Sequence, residues 1–452
     1  MPGGLTRAQM LADPEQAAAS AVSGHFQVDV ETWRLASKTS WQIDERQRLD
    51  VGFSVEEQSL FHPIVDRVMV DFDGPGPAEP VEVFSLLIAT EQRDHGTALR
   101  YNYTGDRHDI VAGVNYARSS VEGGNYRNLG GQINGLSTVV DNSATLLEAF
   151  VMDRWKLSEQ LTLVLAAQAV SADREVRNTD VASAVLTNPQ DSYDGINPRI
   201  GIVYTVSDGV SLYANVSRLF EPPTNYQLQD NVSGGDATLK AMKGAAVEVG
   251  TRGTREFGSD DRWNWDVSIY HATIDDEILS VEDPAAPGTS LATNIDKTLH
   301  SGLEAMVAGE FGLGESGRHY LAPLVSLTVN EFSFEGDAVY GANQLPAAPD
   351  YVLRGEMMYR NDRGFQVGPT FERVGKRYAD FANTYTIDSY ALMGLRAACS
   401  GERFSVNATV NNVFDENYVA NHSVRNIAAE SDAILNPGTP VSAYVGVRWL
   451  LR

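Results

Sequence analysis

Few residues in this 452-residue chain have types and spacings suited to covalent chemistry. The eight histidines, among them His25, His62, His95 and His422, show no His-x-x-x-His or comparable metal spacing. No glycine-rich phosphate loop follows a strand pattern. Asp71-Phe72-Asp73-Gly74 has the start of a calcium loop, but the later ligands of an EF-hand are absent, and a solvated acidic turn is the better reading. The single cysteine, Cys399, excludes a disulfide framework and a cysteine-based zinc site. It reads as a small wall-packing residue. No catalytic constellation emerges, so the chain is not expected to be an enzyme or to hold a metal or cofactor. Recognition, not catalysis, is the chemistry left.

Composition narrows the setting. A net charge of -25 argues against nucleic acid, because a phosphate backbone repels such a surface. It suits a soluble acidic protein or a barrel with acidic loops, and solvated loop carboxylates account for it without a cationic ligand. Hydrophobic residues are 43%, enough to fold. No run of eighteen apolar residues is present, so no transmembrane helix is expected. Barrel strands are shorter and alternate, so a membrane stays open. The opening MPGGLTRAQMLADPEQ has neither a basic n-region nor an apolar h-region. The expectation is a protein that is not exported, or a chain that starts inside a longer one.

The elements that must position any binding residue are strands. Residues 1–28 lack a strand period, with a short helix expected around Thr6–Ala12. Thr32–Ile43 alternates, with Trp33, Leu35, Trp41 and Ile43 opposite Arg34, Lys38, Ser40 and Gln42. Asp44-Glu45-Arg46-Gln47 reads as a turn. The same pattern then repeats. Trp263, Trp265, Val267 and Ile269 oppose Asn264, Asp266 and Ser268; Phe404, Val406, Ala408 and Val410 oppose Arg403, Ser405, Asn407 and Thr409. Short turns fall at Gly105-Asp106-Arg107, Ser158-Glu159, Ser207-Asp208-Gly209, Phe257-Gly258-Ser259, Gly314-Glu315-Ser316, Asn361-Asp362-Arg363 and Ser400-Gly401-Glu402. Long connections are expected at 61–82, 122–144, 176–196, 220–243, 279–297, 335–349, 377–387 and 413–439. Strict alternation of long and short gives about seventeen strands.

The last strand places Val441, Ala443, Val445, Val447, Trp449 and Leu451 on one face. Such a face is either half-buried on a soluble core or turned to lipid. A sandwich does not need every polar face charged, nor short turns always at one end. A large antiparallel transmembrane β-barrel does, with short periplasmic turns, long external loops and water inside.

Several stretches carry a family resemblance. Asn197-Pro198-Arg199-Ile200-Gly201-Ile202-Val203-Tyr204 and Val210–Pro223 form one hairpin pattern; Leu239-Lys240 with Glu248-Val249-Gly250, and Asn411-Asn412-Val413-Phe414-Asp415-Glu416-Asn417-Tyr418, form two more. In this order they resemble TonB-dependent outer-membrane receptors over essentially the whole chain. Asn294–Glu304 and Arg377–Asn383 lean toward the ferric-citrate and siderophore receptors. The resemblance implies an all-β barrel of about 22 strands, of which about 17 are present. Residues 1–28 would be the remnant of an extracellular loop and 29–452 the C-terminal part of the barrel. The plug domain with its TonB box has no counterpart, so contact with TonB would be lost with it. The ending Trp449-Leu450-Leu451-Arg452 also departs from the usual terminal aromatic.

The function so implied is uptake of an iron chelate, ferric citrate or a siderophore, across a Gram-negative outer membrane by a monomer. Such chelates are anionic and would be held by guanidinium forks, amides and phenols on the loops. The loop residues of those types are Arg127 and Asn128; Asn225, Tyr226 and Gln227; Arg377, Tyr378, Asn383 and Tyr385; and Asn421, His422 and Arg425. Each has loop packing as its alternative role. Trp33, Trp41, Trp263, Trp265 and Trp449 read as lipid-interface girdle residues. Two other readings stay open: a plugless passive pore or non-functional fragment, and a soluble all-β binding protein.

Overall fold

The computed structural model describes residues 3–71, 80–257, 261–283, 290–314 and 318–450. Among these residues, seventeen long strands follow one another. They are β1 (Asp29–Gln42), β2 (Gln47–Val70), β3 (Val81–Thr104), β4 (His108–Leu129), β5 (Gln132–Lys156), β6 (Leu161–Asp180), β7 (Gln190–Ser207), β8 (Val210–Glu221) and β9 (Met242–Phe257). The series continues with β10 (Asp261–Glu282), β11 (Ser290–Gly312), β12 (His319–Phe334), β13 (Tyr351–Asn361), β14 (Phe365–Val374), β15 (Tyr390–Ser400), β16 (Phe404–Asn411) and β17 (Ser442–Trp449). Each pairs antiparallel with the next, and a two-residue strand, Leu186–Thr187, adds to the edge of β6. The result is one 18-stranded sheet with sequential connectivity. Among the described residues no ladder joins β1 to β17, so each presents a free edge. The expected all-β antiparallel architecture and its strand count are therefore present.

Alternation sets which face is which. On β8, Val216 is 53% exposed on the outer face. Its neighbour Asn215 is 9% exposed and donates to Glu248 Oε2 at 2.8 Å on the inner face. The inner face is polar and paired across strands. Asn115 donates to Glu148 at 2.9 Å, Gln168 donates to the same carboxylate, and Asn197 donates to Gln168 at 3.0 Å. These four residues sit on β4, β5, β6 and β7. Arg354 meets Glu372 at 2.6 Å and Arg396 meets Glu356 at 2.8 Å farther round the wall. Outside, Trp41, Trp155, Trp263 and Trp449 mark the turn end as an aromatic belt, with Trp41 63% exposed. Trp33 sits eight residues above Trp41, about 26 Å along the strand.

Strand length divides the wall. β2 and β3 have 24 residues each, whereas β16 and β17 have 8 each. A spanning strand needs about 9–11 residues. The long hairpins therefore rise well above the membrane on the loop side. This corrects the expected connection at 122–144. β4 and β5 instead continue to a two-residue turn, Gly130-Gly131, with φ of 57° and 82°. Two successive left-handed residues are what a tight hairpin turn requires and what glycine adopts without strain. The connections expected at 61–82, 176–196 and 279–297 shrink likewise to 71–80, 181–189 and 283–289. The reason is physical. Above the membrane both ribbon faces meet water, so the apolar alternation fades while the backbone ladder continues.

The helix expected near Thr6–Ala12 forms as Arg7–Ala12, with Thr6 and Gln9 in a reciprocal capping box. A second short helix, Ala19–Ser23, carries no comparable side-chain cap. The turn residues Gly258-Ser259 and Glu315-Ser316, the acidic stretch from Phe72 and residue Leu451 lie outside the described residues.

The buried apolar clusters sit at the loop end, not in the wall. One joins Ala379, Tyr385, Ile387, Ile434 and Leu435, and another Ile295, Phe334, Leu345 and Phe381. The wall has no core of its own, so its apolar exterior needs lipid. Val216→Arg, about midway up β8, should destabilise the chain in lipid vesicles by roughly 2–4 kcal/mol, read from urea unfolding. A cost below about 1 kcal/mol would show that this face does not meet hydrocarbon.

Candidate functional site

The loop end over β13–β17 is closed by a compact cap. It is built from the connections 375–389 and 412–441. In the first, Arg377–Tyr378 pairs with Thr386–Ile387; in the second, Val419–His422 pairs with Leu435–Pro437. Between the two hairpins sits Asp380, fully buried. Its carboxylate accepts from the backbone N–H of Thr384 at 2.9 Å, Tyr385 at 3.1 Å and Ala428 at 3.2 Å, and from the Thr384 hydroxyl. A carboxylate with that many donors is satisfied without a cation. It fixes one connection against the other.

Three further ties enlarge the cap. Arg425 meets Glu282, at the tip of β10, at 2.6 Å. Asn383, at φ 58°, exchanges hydrogen bonds with the Gln344 backbone, at 2.8 Å to its Oδ1 and 2.9 Å from its Nδ2. Leu5 pairs with Leu435 through two backbone bonds of 2.8 and 2.9 Å, and Arg7 lies 3.4 Å from Asp388 and 3.6 Å from Glu430. The N-terminal segment thus packs on the loops, with its Met10 against the buried cluster of Tyr385 and Ile434.

The sequence-predicted residues separate into two kinds. Arg377, Tyr378, Asn383, Tyr385, Asn421, His422 and Arg425 are brought together in the cap. Arg127 and Asn128 lie at the far tip of β4, and Asn225, Tyr226 and Gln227 on the helix Asn225–Gln229 over β5 and β6. Most are already engaged. Arg127 pairs with Glu82 at 2.9 Å. Asn128 is buried and donates to Gly24 O at 2.9 Å and Val65 O at 3.1 Å while its Oδ1 accepts from Gly131 N–H at 2.8 Å. Asn225 donates to Ser143 O at 2.9 Å, and Gln227 completes a capping box with Thr224. Tyr385 is buried in the cap core. Tyr226 is 68% exposed, and Asn421 is exposed with no side-chain partner among the described residues.

Arg377 and His422 are the unusual pair. Arg377 is 6% exposed and donates to Val419 O at 2.9 Å and Ala420 O at 3.2 Å, and its second terminal nitrogen has no partner among the described residues. Burial lowers its pKa from the usual guanidinium value. His422 approaches Tyr378 O at 3.3 Å through Nε2, while its buried Nδ1 is unpaired among the described residues. Burial first, and the Arg377 charge second, push the His422 pKa down to about 4. The imidazole is therefore neutral at neutral pH.

Sequence reasoning missed Asp380, Glu282 and Asn426. Asn426 bonds the backbone of Glu282 in both directions, at 3.1 and 3.3 Å. Only Asp380 left a signal, an Asp four residues before a Thr in a loop, the spacing of a local side-chain-to-backbone turn. Beneath the cap lies a cavity of about 430 Å³ lined by Arg354, Glu356, Glu372, Arg396, Asn412 and Tyr418. Its guanidinium groups face carboxylates, so the arrangement suits binding by hydrogen bonds and packing, not proton transfer.

Comparison with known proteins bears on what such a wall and cap belong to. A family model described as TonB dependent receptor-like, beta-barrel matches residues 18–413. The ferripyoverdine receptor of Pseudomonas aeruginosa is 22% identical over 422 residues, covering 86% of this chain and 48% of that protein. The ferrioxamine receptor of Yersinia enterocolitica is 28% identical over 232 residues, covering 49% of this chain and 30% of that protein. Among solved structures, the unliganded ferric citrate transporter FecA superposes with a TM-score of 0.77 at 16% identity, covering 99% of this chain and 65% of that one. The match spans about half the length of the ferripyoverdine receptor.

Two outcomes test the cap. Asp380→Ala should lower the local opening free energy of residues 375–389 by roughly 3 kcal/mol or more, seen as faster amide exchange there, with wall strands unchanged. Equal protection in both proteins would remove Asp380 as the fastener. His422 binds protons more readily when its segment opens, at the ordinary imidazole value near 6.5, than when it is packed, at about 4. Its contribution to cap stability is thus complete above about pH 6.5 and is lost as pH falls toward 4, by up to roughly 3 kcal/mol. Proteolysis of the cap across that range should accelerate in the parent and not in His422→Phe.

Proposed function

We propose, because the chain belongs to the family of TonB-dependent receptor β-barrels, that it forms the wall and extracellular ligand-binding face of an iron-chelate uptake receptor. Members of this family are transport receptors of the Gram-negative outer membrane and not enzymes. The observation that carries the reading is the pairing of a lipid-facing strand meander with a folded cap over a polar cavity. The receptors for ferripyoverdine and ferrioxamine, and the ferric citrate transporter, support iron chelates as the ligand class.

In this reading residues 1–28 are extracellular, supported by the packing of residues 3–28 on the loop end, and the chain acts as a monomer. The wall is part of a longer receptor, a reading supported by the share of the ferripyoverdine receptor that is matched and by the free edges of β1 and β17. Energised transport then needs a plug and its TonB contact, and these 452 residues supply binding. Outer membranes containing the chain should retain radioactive iron presented as a siderophore-class chelate, and matched membranes without it should not. Identical retention by the two would remove the reading.

A further inference from the structure

With the uptake reading as its basis, we propose that the ligand is a ferric chelate of zero or positive net charge, and not an anionic one. Nearly half of the net charge of -25 lies on the connections that the ligand must approach. The loop-side connections are 3–28, 71–80, 181–189, 222–241, 283–289, 335–350, 375–389 and 412–441. Together they contain seventeen Asp and Glu but only five Lys and Arg: Arg7, Lys240, Lys376, Arg377 and Arg425.

Four of those five cations are already committed. Arg7 pairs with Asp388 and Glu430, Lys240 with Asp276 at 2.9 Å, and Arg425 with Glu282. Arg377 is sealed under Val419 and Ala420. Lys376 is exposed and, among the described residues, without a carboxylate partner. An anionic chelate would need several free guanidinium forks to offset its desolvation. Those connections offer none in the described residues that is both exposed and unpaired, and on the loop-side rise of β6 Arg177 is a single exposed guanidinium beside Asp173, Glu175 and Asp180 in the sequence.

The surplus carboxylates do not form a metal centre. Among the described residues no group of three His, Cys, Asp or Glu converges to hold an ion. They act as a field. A mouth of one sign raises the local concentration of oppositely charged ligands and repels like ones.

A second, independent observation concerns the apolar side. Tyr226, Val339 and Ile427 are 68, 80 and 71% exposed on the loop side, where there is no hydrocarbon to cover them. On separate loops of the rim, these groups offer apolar contact to a ligand that enters the mouth. With the free amide of Asn421 they suit a compact chelate whose charge is internally neutralised, such as a hydroxamate-type complex, held by packing and neutral hydrogen bonds.

A charge series on one iron-binding core isolates the effect. The probes are a ferric trihydroxamate with a free ammonium, its N-acetyl form and its N-succinyl form, which differ by one charge at each step. The full chain is refolded into phosphatidylcholine vesicles, and tryptophan quenching gives the affinities at about 20 mM and about 0.5 M salt. At low salt the ammonium form should bind about tenfold or more tighter than the succinyl form, with the acetyl form between them. The spread should narrow to about threefold or less at high salt, where the screening length falls to a few ångströms. A succinyl form that binds as tightly as the ammonium form, or tighter, at low salt overturns the charge assignment and leaves the uptake reading standing. Failure of all three probes and of ferric citrate to bind overturns both.

Discussion

A backbone amide in hydrocarbon has no water to pair with, so each must find its partner in a neighbouring strand. The ladder that runs from β1 to β17 meets that demand strand by strand. The layout of the wall depends on it. Because the ladder satisfies the backbone, side chains on the outer face are free to be apolar, as Leu212, Val216 and Val249 are. Because successive side chains point to opposite faces, the same strands turn Asn115, Glu148, Asn215 and Glu248 inward. Those inward groups then pair across strands, which ties each register to its neighbour. The outer edges of β1 and β17 are the two places where the ladder has no partner within the described residues.

The distribution of burial follows from the same constraint. A wall between lipid and water needs no interior, and this one has none. The apolar clusters instead gather at the loop end, where connections in water must bury something to hold a shape. The cap is in that sense a small soluble structure carried on a membrane wall. Its stability comes from buried aromatic and aliphatic groups, the Asp380 carboxylate and the Arg425–Glu282 pair. It does not come from the ladder. Local opening of the cap therefore need not disturb the wall.

Charge is divided along the same axis. Inside the wall, Arg354 and Arg396 lie against Glu372 and Glu356 and neutralise them locally. At the loop end carboxylates outnumber cations, and most of the cations serve as fasteners. Arginine beside tyrosine and asparagine in a polar loop looks like a ligand clamp in sequence. Here the guanidinium of Arg377 braces two hairpins, and that of Arg425 anchors the cap to β10.

The sequence by itself determined the fold class, the strand count, the short turns that lie among the described residues and the face each strand turns to lipid. Lipid acts on every second residue, so its imprint is local and periodic and can be read without knowing any partner. The tertiary structure decided how far β2–β6 rise above the membrane, since strand pairing persists there after the periodic pattern has faded. It also decided which loop residues remain free. Asn128 uses its amide on Gly24, 104 residues away, and Arg425 uses its guanidinium on Glu282, 143 residues away. The closing stretch Asn411–Trp449 shows both sides. Its last strand was legible from alternation, whereas the folding of residues 412–441 into a cap with Asp380 at its centre was not. Hydrogen-bonding capacity is consumed by partners that only the folded chain brings near, and no local pattern records where it goes.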